Sequence, residues 1–492
     1  MPSPLSANEC QVTGVALWFL PVTTRVPLKF GTEALTSVTC ARVQITLRGV
    51  EGRSASGWGE TPLSVQWVWP SALPYAQRHQ ALQDFCQRLA HAWNAFDESG
   101  HPMRLGNAFN ESELPRVQAG FNAERAAQGL EALPHLAALV CNSAFDIAVH
   151  DAFGQLLGQT AFEILEPGVL TETLEAFLAP APGTEVSFQG RTLSSFLLPE
   201  RRNSLEAWHL VGGLDPIDAS ELTGSEPHDG HPVLLADWIT RDALQCLKIK
   251  LRGNDADWDY QRLVRVGRLG LPLGVTDLTA DFNCTVRDPA YVCGILDQLH
   301  RDHPDLFQAL TYVEQPFPYD LEAHPIPVHE VSRRKPLFLD ESAHDWRLVR
   351  LGRELGWTGV ALKTCKTQTG ALLSAAWAQA HGMQLMVQDL TNPRLAQIPH
   401  CLLAAHLPTL RGVETNAMQF YPAASDLEAT VHPGLYRRRD GRVDLSTPHG
   451  SRIRLCRGGN RPRTRRTEPR SGEYLNPLIF LKFEKPHLWQ RI

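Results

Sequence analysis

The sequence of 492 residues lacks several features that would assign it to a special class of protein. It contains no apolar run of about 18 residues, which a membrane-spanning helix requires. Its N-terminus has no basic segment followed by an apolar core, as a signal peptide would. Acidic residues (53) outnumber lysine and arginine (47), and the net charge of −6 gives no reason to expect nucleic acid or an anionic membrane as a partner. We therefore expect a cytoplasmic protein with neither partner.

Clustered cysteines are also missing. The ten cysteines are scattered singly, without CxxC or any other metal-site spacing. Such cysteines are typical of buried, reduced thiols in a cytoplasmic enzyme. A hydrophobic content of 43% and a charged content of 20% fit a globular protein with a sizeable core. The length predicts two or three domains.

Between residues 247 and 363, single charged residues end one short apolar run after another. Each run is typical of a buried parallel strand and is followed by a helical segment. The charges recur at intervals of 31, 33, 26 and 23 residues, close to the roughly 31 residues of one unit in a (β/α)8 barrel. The runs are CLKIK, LTADFN, TYVEQP, FLDES and GVALK. With SLEAWHLV, MQLMVQD and RGVET they make eight strands, which is the number that closes a barrel.

The order of the elements predicts a small domain in front of this barrel. Alternating apolar stretches followed by helical patterns, unmixed with the later alternation, indicate a separate α+β domain. A run with eight arginines in residues 452–470 is typical of a disordered, solvated tail, with contact to nucleic acid or an acidic partner as the less favoured alternative. The predicted parts are a cap in 1–160, a connection or insertion in 161–203, the barrel in 204–425, a segment returning to the cap in 426–450 and the basic tail in 451–492. Residues 214–232 form a polar insertion within the barrel.

Three acidic residues end consecutive predicted strands: Asp281, Glu314 and Asp340. They should meet at the C-terminal mouth of the barrel, where active sites of this fold lie. Clustered carboxylates raise each other's pKa values unless a cation neutralises them. Mg2+ prefers such oxygen ligands, with Mn2+ as an alternative, while the lack of His or Cys at these strand ends argues against zinc. The alternative for each acid is a helix N-cap or a salt-bridge partner.

Three lysines accompany these acids. Lys248 and Lys250 point to the same face of one strand, and we expect their proximity and burial to lower both pKa values. Lys363 lies four strands further round and approaches a central substrate from the opposite side. This arrangement suits removal of a proton α to a carboxylate, with a metal stabilising the ene-diolate and one lysine on each face. Lys366 is a rival to Lys363, but it lies where the chain leaves the strand.

These motifs resemble the enolase superfamily, and the lysines on both sides resemble its muconate-lactonizing-enzyme subgroup (mandelate racemase/muconate lactonizing enzyme). KxK, DxN, EQP, DES and a later lysine occur in order at compatible spacing, after a GWGE turn. The resemblance covers roughly residues 12–160 and 204–425. It implies a modified (β/α)7β barrel, an N-terminal α+β capping domain and an active site between them. It also implies Mg2+-dependent proton abstraction by lysine, a known pattern of this superfamily.

The resemblance also implies roles by position. The implied metal ligands are Asp281, Glu314 and Asp340. The implied acid/base groups are Lys250 and Lys363, with Lys248 tuning Lys250. Asn283 and Glu341 would support the ligands. Substrate choice would rest with the cap loop in residues 23–32 and the turn near Trp58. Further candidates for substrate contact are Glu414, Lys366, Asp389, Phe30 and Thr32.

Several reactions share this set: cycloisomerisation, o-succinylbenzoate-synthase-like elimination, and epimerisation or racemisation. The last strand lacks the DxD pattern of dipeptide-acting members, and Glu414 at this place resembles the cycloisomerases. An acid-sugar dehydratase or mandelate-racemase-like enzyme would need a histidine near the seventh strand, but His381 and His400 lie in helical segments. From other classes, the alternatives are a Schiff-base aldolase using Lys363 and a non-catalytic barrel relative. We expect a small carboxylate substrate, and a homo-oligomer would match the family.

Overall fold

The computed structural model describes residues 5–30, 33–448 and 480–484. Its N-terminal part is an antiparallel sheet covered by helices, which we call the cap. The cap strands are β1 (Cys10–Phe30), β2 (Glu33–Arg48), β3 (Ser54–Pro62) and β4 (Ser99–Gly100). Its helices are α1 (Val65–Val68), α2 (Tyr75–Ala95), α3 (Pro102–Ala108), α4 (Leu114–Ala127) and α5 (His135–Leu157).

Helix α5 is the core of the cap. By length and composition it could cross a membrane, but its apolar stretch is wholly buried within the protein. Two glycines of β3 let it approach closely: a Cβ atom on Gly57 would lie 2.0 Å from the backbone nitrogen of Ala152, and one on Gly59 would lie 2.0 Å from the carbonyl oxygen of Ala144. The GWGE segment, expected to be a turn, is therefore part of β3 and packs against α5.

The hairpin of β1 and β2 extends further than the sequence indicates. The strands pair up to Thr23 opposite Ser37, shift register, and pair again from Leu28 opposite Leu35. The cap loop expected in residues 23–32 is thus shorter than the sequence indicates, because backbone pairing resumes at Leu28 beyond the irregularity. Such bulges redirect side chains out of the sheet.

The second part of the chain is the predicted barrel. Its strands are β5 (Ser204–Val211), β6 (Cys246–Lys250), β7 (Asp277–Asp281), β8 (Leu310–Glu314), β9 (Leu337–Leu339), β10 (Gly359–Leu362), β11 (Gln384–Val387) and β12 (Val413–Glu414). Its helices are α6 (Leu235–Asp242), α7 (Ala256–Gly270), α8 (Pro289–Asp302), α9 (Pro304–Ala309), α10 (His329–Ser332), α11 (Trp346–Leu355), α12 (Gln368–Ala380) and α13 (Gln397–His406). The fold expected from the sequence, a modified barrel of the (β/α)7β type behind an α+β cap, is confirmed.

The eight strands are parallel and follow the order β11-β10-β9-β8-β7-β6-β5-β12. The two ends of this near-barrel are linked by a 2.7 Å hydrogen bond from the Leu410 N–H to the Leu385 carbonyl. A cluster of buried side chains fills the interior: Trp208, Cys246, Tyr312, Phe338 and Met386. The barrel is therefore packed inside, and a site can form only at its mouth.

The segments after the barrel join it to the cap in more than one place. They contain α14 (Ala417–Phe420), α15 (Asp426–Val431), β13 (Arg442–Asp444) and β14 (Phe480–Glu484). Strand β13 pairs with β5 of the barrel and not with the cap. The return to the cap sheet is made by β14, which pairs with β1 although it lies in the tail expected to be disordered. The Arg-rich run in 452–470 lies outside the described residues.

One buried cluster connects the two parts. The Arg42 guanidinium on β2 donates to Glu60 of the GWGE segment and, over 3.2 Å, to Glu428 on α15. All three side chains are buried. Because a buried charge without a partner is costly, this cluster fixes the cap against the end of the barrel.

Candidate active site

The charged residues singled out in the sequence lie together at the mouth of the barrel. Lys250, Asp281 and Glu314 are the last residues of β6, β7 and β8, and they stand side by side in the strand register. Asp340 and Lys363 directly follow β9 and β10. All five side chains are buried. The regular spacing in the sequence thus reflects equal positions on neighbouring strands.

Lys248 lies in the middle of the acidic groups. Its Nζ is 2.6 Å from Glu314 Oε1 and 3.0 Å from both Asp281 Oδ2 and Glu414 Oε2. Burial disfavours the charged amine, but attraction by these carboxylates outweighs it and holds the Lys248 pKa well above its ordinary value. The expected lowering of the Lys248 pKa is wrong, because three carboxylates lie within 3.0 Å of its ammonium group.

The acids respond differently to the shared surroundings. Burial and repulsion by Asp281 raise the pKa of Glu314. For Asp281, burial acts in the same direction, but Lys250 (2.5 Å away) and Lys248 hold its pKa well below the usual range. Burial followed by repulsion from Asp340 raises the pKa of Glu341 to about 7. Burial and mutual repulsion therefore disfavour the charged forms of Glu314 and Glu341, while the lysines keep Asp281 ionised.

Lys363 and Lys366 both reach Asp340. Lys363 Nζ lies 3.2 Å from Asp340 Oδ2, and Lys366 Nζ lies 3.5 Å from Oδ1 while also donating to the Asp340 carbonyl. The ring centre of Trp67, from α1 of the cap, lies 5.4 Å and 5.8 Å from the two ammonium groups. Burial opposes charge on Lys363, but Asp340 outweighs it and raises the Lys363 pKa, whereas burial lowers the pKa of Lys366. The cap thus covers the lysine pair.

The two residues expected to support the acids lie beside them. Asn283 donates from Nδ2 to Glu341 Oε1 over 3.1 Å, and its backbone N–H donates to Asp281 Oδ1 over 2.9 Å. Asn283 Oδ1 and Glu341 Oε2 are buried without a hydrogen-bond partner among the described residues. Two oxygens beside the acids therefore remain available to a ligand.

The last two strands add further groups. The Glu414 carboxylate binds Lys248 and the Asn416 amide, and the Asp389 carboxylate accepts the Asn416 backbone N–H over 2.8 Å. The Asp389 carbonyl accepts from Lys363 Nζ over 3.1 Å. Glu414 and Asp389 therefore lie at the site, but lysine and asparagine already bind them, which leaves them less free for substrate than expected.

Sequence reasoning missed Gln388, which links several groups of the site. Its Oε1 accepts from Lys248 (3.2 Å) and Lys363 (3.3 Å), while its Nε2 donates to Glu314 (2.5 Å). It directly follows β11, so the rule that found the acids, a polar residue at a strand end, would also have found it. Trp67 carries no such signal, because only the packing of the cap brings it to the site.

A cavity of about 1180 Å³ opens between the cap hairpin and this site. Residues lining it include Lys29, Glu33, Trp67, Asn283, Tyr319 and Glu341. Two predicted substrate contacts, Thr32 and the side chain of Phe30, lie outside the described part of the chain. Their neighbours in the sequence, Lys29 and Glu33, line the cavity. A second cavity of about 920 Å³ lies between α5, residues 160–203 and α13. None of the four lysines of the site lines either cavity, but the first is lined by Asn283 and Glu341, which lie beside the acids.

A lysine ammonium group occupies the space between the acids. Within residues 5–30, 33–448 and 480–484, no three His, Cys, Asp or Glu side chains form a ready-made metal site. The Lys248 ammonium lies instead between Asp281 and Glu314. A cation already stands where the carboxylates converge.

Comparison with known proteins identifies the second part of the chain. Residues 234–456 match the family model described as enolase C-terminal domain-like. None of the curated proteins compared with the chain matches it significantly.

Solved structures share the fold over nearly the whole chain. A dipeptide epimerase from Cytophaga hutchinsonii, in complex with Mg and the dipeptide D-Ala-L-Val, has a TM-score of 0.59 at 14% identity, covering 96% of this chain and 99% of its own. The L-Ala-D/L-Glu epimerase from Bacillus subtilis has a TM-score of 0.54 at 17% identity, with coverages of 82% and 89%. A muconate lactonizing enzyme from Pseudomonas fluorescens, in complex with muconolactone, has a TM-score of 0.54 at 16% identity. The match covers 90% of this chain and 96% of that enzyme.

Proposed function

We propose that this enzyme removes the proton α to the carboxylate of a small substrate, as a Mg2+-dependent isomerase or lyase. Its residues 234–456 match the enolase C-terminal domain-like family model, which supports the proposal. The observation that carries the proposal is the arrangement of two lysines around three acids. Lys250 and Lys363 lie four strands apart in a sheet of eight, so they flank the acids from opposite sides.

The oxygen donors at the site suit a hard divalent cation, which would take the place that the Lys248 ammonium holds between Asp281 and Glu314. Asp281, Glu314 and Asp340 supply oxygen atoms from three adjacent strands, the donor type that Mg2+ prefers. The site holds six buried carboxyl groups against four buried lysines. With all six carboxyl groups ionised there would be an excess of two negative charges, which one divalent cation would balance. The carboxyl groups are those of Asp281, Glu314, Asp340, Glu341, Asp389 and Glu414, and the lysines are Lys248, Lys250, Lys363 and Lys366.

When bound, the metal would hold the substrate carboxylate and stabilise the ene-diolate charge. The protein supplies the other parts of the reaction. One of Lys250 and Lys363 takes the α-proton, and the other returns a proton or stabilises charge on the far face. Lys248 and Gln388 fix the carboxylates through hydrogen bonds. Trp67 excludes water above Lys363, which strengthens the electrostatic interactions below it.

The rival functions fit these contacts less well. A Schiff-base aldolase needs a neutral amine, whereas Asp340 raises the Lys363 pKa. A histidine base is not supplied by the two candidates. His381 bonds the backbone of Ala181 and Trp377, and His400 bonds the Glu414 carbonyl over 2.7 Å.

The function is tested with a panel of small carboxylates in deuterated water, read by NMR. We expect exchange of the α-hydrogen in at least one compound, loss of this exchange on chelation, and recovery with Mg2+. Lys250→Ala and Lys363→Ala should each abolish exchange while Mg2+ binding, measured by calorimetry, stays nearly intact.

A matched control is Lys335→Ala, which removes a lysine packed on Phe307 outside the site. It should exchange as fast as the unaltered protein. Retention of exchange in either active-site variant, or indifference to chelation, would contradict the proposal. Within the class, cycloisomerisation, elimination and epimerisation are separated by identifying the product.

A further inference from the structure

Thr367 has a backbone conformation that a β-branched residue rarely adopts. It directly follows Lys366 and has φ 74° and ψ 142°, a region occupied almost only by glycine. Such a residue persists only when its surroundings hold it there, and strain of this kind is concentrated at functional sites. Contacts from the cap and from α12 hold Thr367 in this conformation.

A side chain of the cap bonds directly to Thr367. Asn110 donates from Nδ2 to Thr367 Oγ1 over 3.2 Å, and the same oxygen accepts the Gly370 N–H over 3.0 Å at the start of α12. Asn110 lies in a π-helical turn, Phe109–Glu113, between α3 and α4. Such turns are rare and often mark functional positions.

Asn110 is itself fixed from the core of the cap. Asn142 on α5 donates to Asn110 Oδ1 over 2.9 Å, and the Trp93 indole N–H donates to Asn142 Oδ1 over 2.8 Å. Trp93 and Asn142 are buried. A chain of directed hydrogen bonds therefore runs from the cap core to Thr367 and orients the Asn110 amide.

A second tie lies two residues further along. The Asp146 carboxylate on α5 accepts the Thr369 N–H over 2.9 Å and its hydroxyl over 2.7 Å. His150, one turn later, contacts the same hydroxyl at 2.9 Å. The cap thus forms hydrogen bonds to both Thr367 and Thr369, the first and last residues of the tripeptide after Lys366.

We propose that Thr367 and Asn110 are positioning residues through which the cap sets the direction of the lysine pair. Lys363 and Lys366 share one turn, closed by the 3.1 Å hydrogen bond from the Lys366 N–H to the Lys363 carbonyl. Relaxation of Thr367 rotates the end of this turn and moves both ammonium groups relative to Asp340. This inference rests on the proposed function in that the lysines act on the substrate.

The test compares three variants with a control. Thr367→Gly removes both the strain and the hydroxyl, Thr367→Ser keeps the hydroxyl, and Asn110→Ala removes the bond from the cap. The control is Ala243→Gly, which relieves another positive φ (48°) at the end of α6, away from the lysines. Each variant is measured for thermal unfolding, for deuterium exchange with the carboxylate panel, and for acetylation of Lys363 and Lys366 by acetic anhydride, read by mass spectrometry as a function of pH.

We expect Thr367→Gly to unfold at the same or a higher temperature, yet to exchange at least tenfold more slowly and to change the acetylation of both lysines. Thr367→Ser should exchange faster than Thr367→Gly. Asn110→Ala should alter exchange and acetylation in the same sense. Ala243→Gly should gain stability and leave both unchanged.

Unaltered acetylation and exchange in Thr367→Gly would overturn the inference, as would unaltered acetylation in Asn110→Ala if the glycine variant does not fold. The proposed function fails separately, when the unaltered protein exchanges no carboxylate. In that case the acetylation pattern still decides whether the cap positions the lysines.

Discussion

At the scale of single residues, Gly59 shows how closely the cap helix must approach its sheet. A methyl group there would overlap the Ala144 carbonyl, and backbone on both sides cannot move aside cheaply. We expect Gly59→Ala to destabilise the protein by about 1–3 kcal/mol or more. Urea unfolding measures this loss.

The matched control is Gly120→Ala. Gly120 lies within α4 with open space around its Cα, so alanine should stabilise the protein by about 0.5–1 kcal/mol through its higher helix propensity. Equal effects of the two substitutions would show that packing against α5 is not the cause.

The same scale shows which site residues the sequence could indicate. Asp281 and Glu314 were found because each ends a strand, and strand ends of a parallel barrel meet. The predicted lowering of the Lys248 pKa is wrong, because the attraction of the surrounding carboxylates exceeds the effect of burial. Trp67 and Asn110 come from the cap, and no local pattern reports a contact that spans hundreds of residues.

At the scale of elements, the cap hairpin is tied to the barrel through its bulge. Arg25 forms a two-pronged pair with Asp229 (2.6 Å and 2.8 Å) and also donates to the carbonyls of His231 and Pro232. Its side chain is only 7% exposed. Further along, the Lys29 carbonyl accepts the Gly213 N–H over 3.1 Å. The insertion in residues 214–232, unexplained by the sequence, therefore anchors the hairpin that lines the cavity above the acids.

Arg25→Met should release this hairpin. We expect faster amide hydrogen exchange in the hairpin, because four hydrogen bonds to the insertion are lost. Mass spectrometry of peptides spanning residues 23–37 measures it. The control is Arg268→Met, which removes an exposed pair with Asp305 and should leave the hairpin unchanged. Hairpin exchange equal in both variants would contradict the anchoring role.

Regular elements were more predictable than irregular ones. The eight barrel strands follow from apolar runs of strand length, whose burial is dictated by composition alone. The helical segment after β8 is only the short α10 (His329–Ser332), since the prolines at 325 and 327 prevent an earlier start. The extension of the hairpin rests on pairing between strands, which a polar segment does not reveal.

At the scale of the whole molecule, buried histidines predict acid lability. Burial lowers the pKa of His101, His150 and His344 to about 3 and that of His400 and His406 to about 4. Unfolding restores a pKa near 6.5, so the unfolded chain binds protons that the folded chain does not. Each histidine therefore favours folding above pH 6.5 and loses this contribution as the pH falls, by about 1.4 kcal/mol per pH unit.

Two buried acids act in the opposite direction. Burial raises the pKa of Asp146 and Asp215 to about 6, so these groups favour the folded state as the pH falls from about 6 towards 4. Glu314 and Glu341, whose pKa values are also raised, add to this effect. The five histidines still outnumber these four acids, and we expect a net loss of stability between about pH 7 and pH 5. Urea unfolding at the two pH values measures it, and equal or greater stability at the lower pH would contradict the expectation.

The buried cluster of Arg42, Glu60 and Glu428 has a consequence for engineering. A chimera that joins this barrel and the segments after it to the cap of another protein of the same fold keeps Glu428 but replaces Arg42 on β2. Without a cation at that place, Glu428 is left buried and unpaired, at a cost of about 3–5 kcal/mol. A transplant of substrate specificity must therefore either carry this arginine with the new cap or replace Glu428 in the barrel.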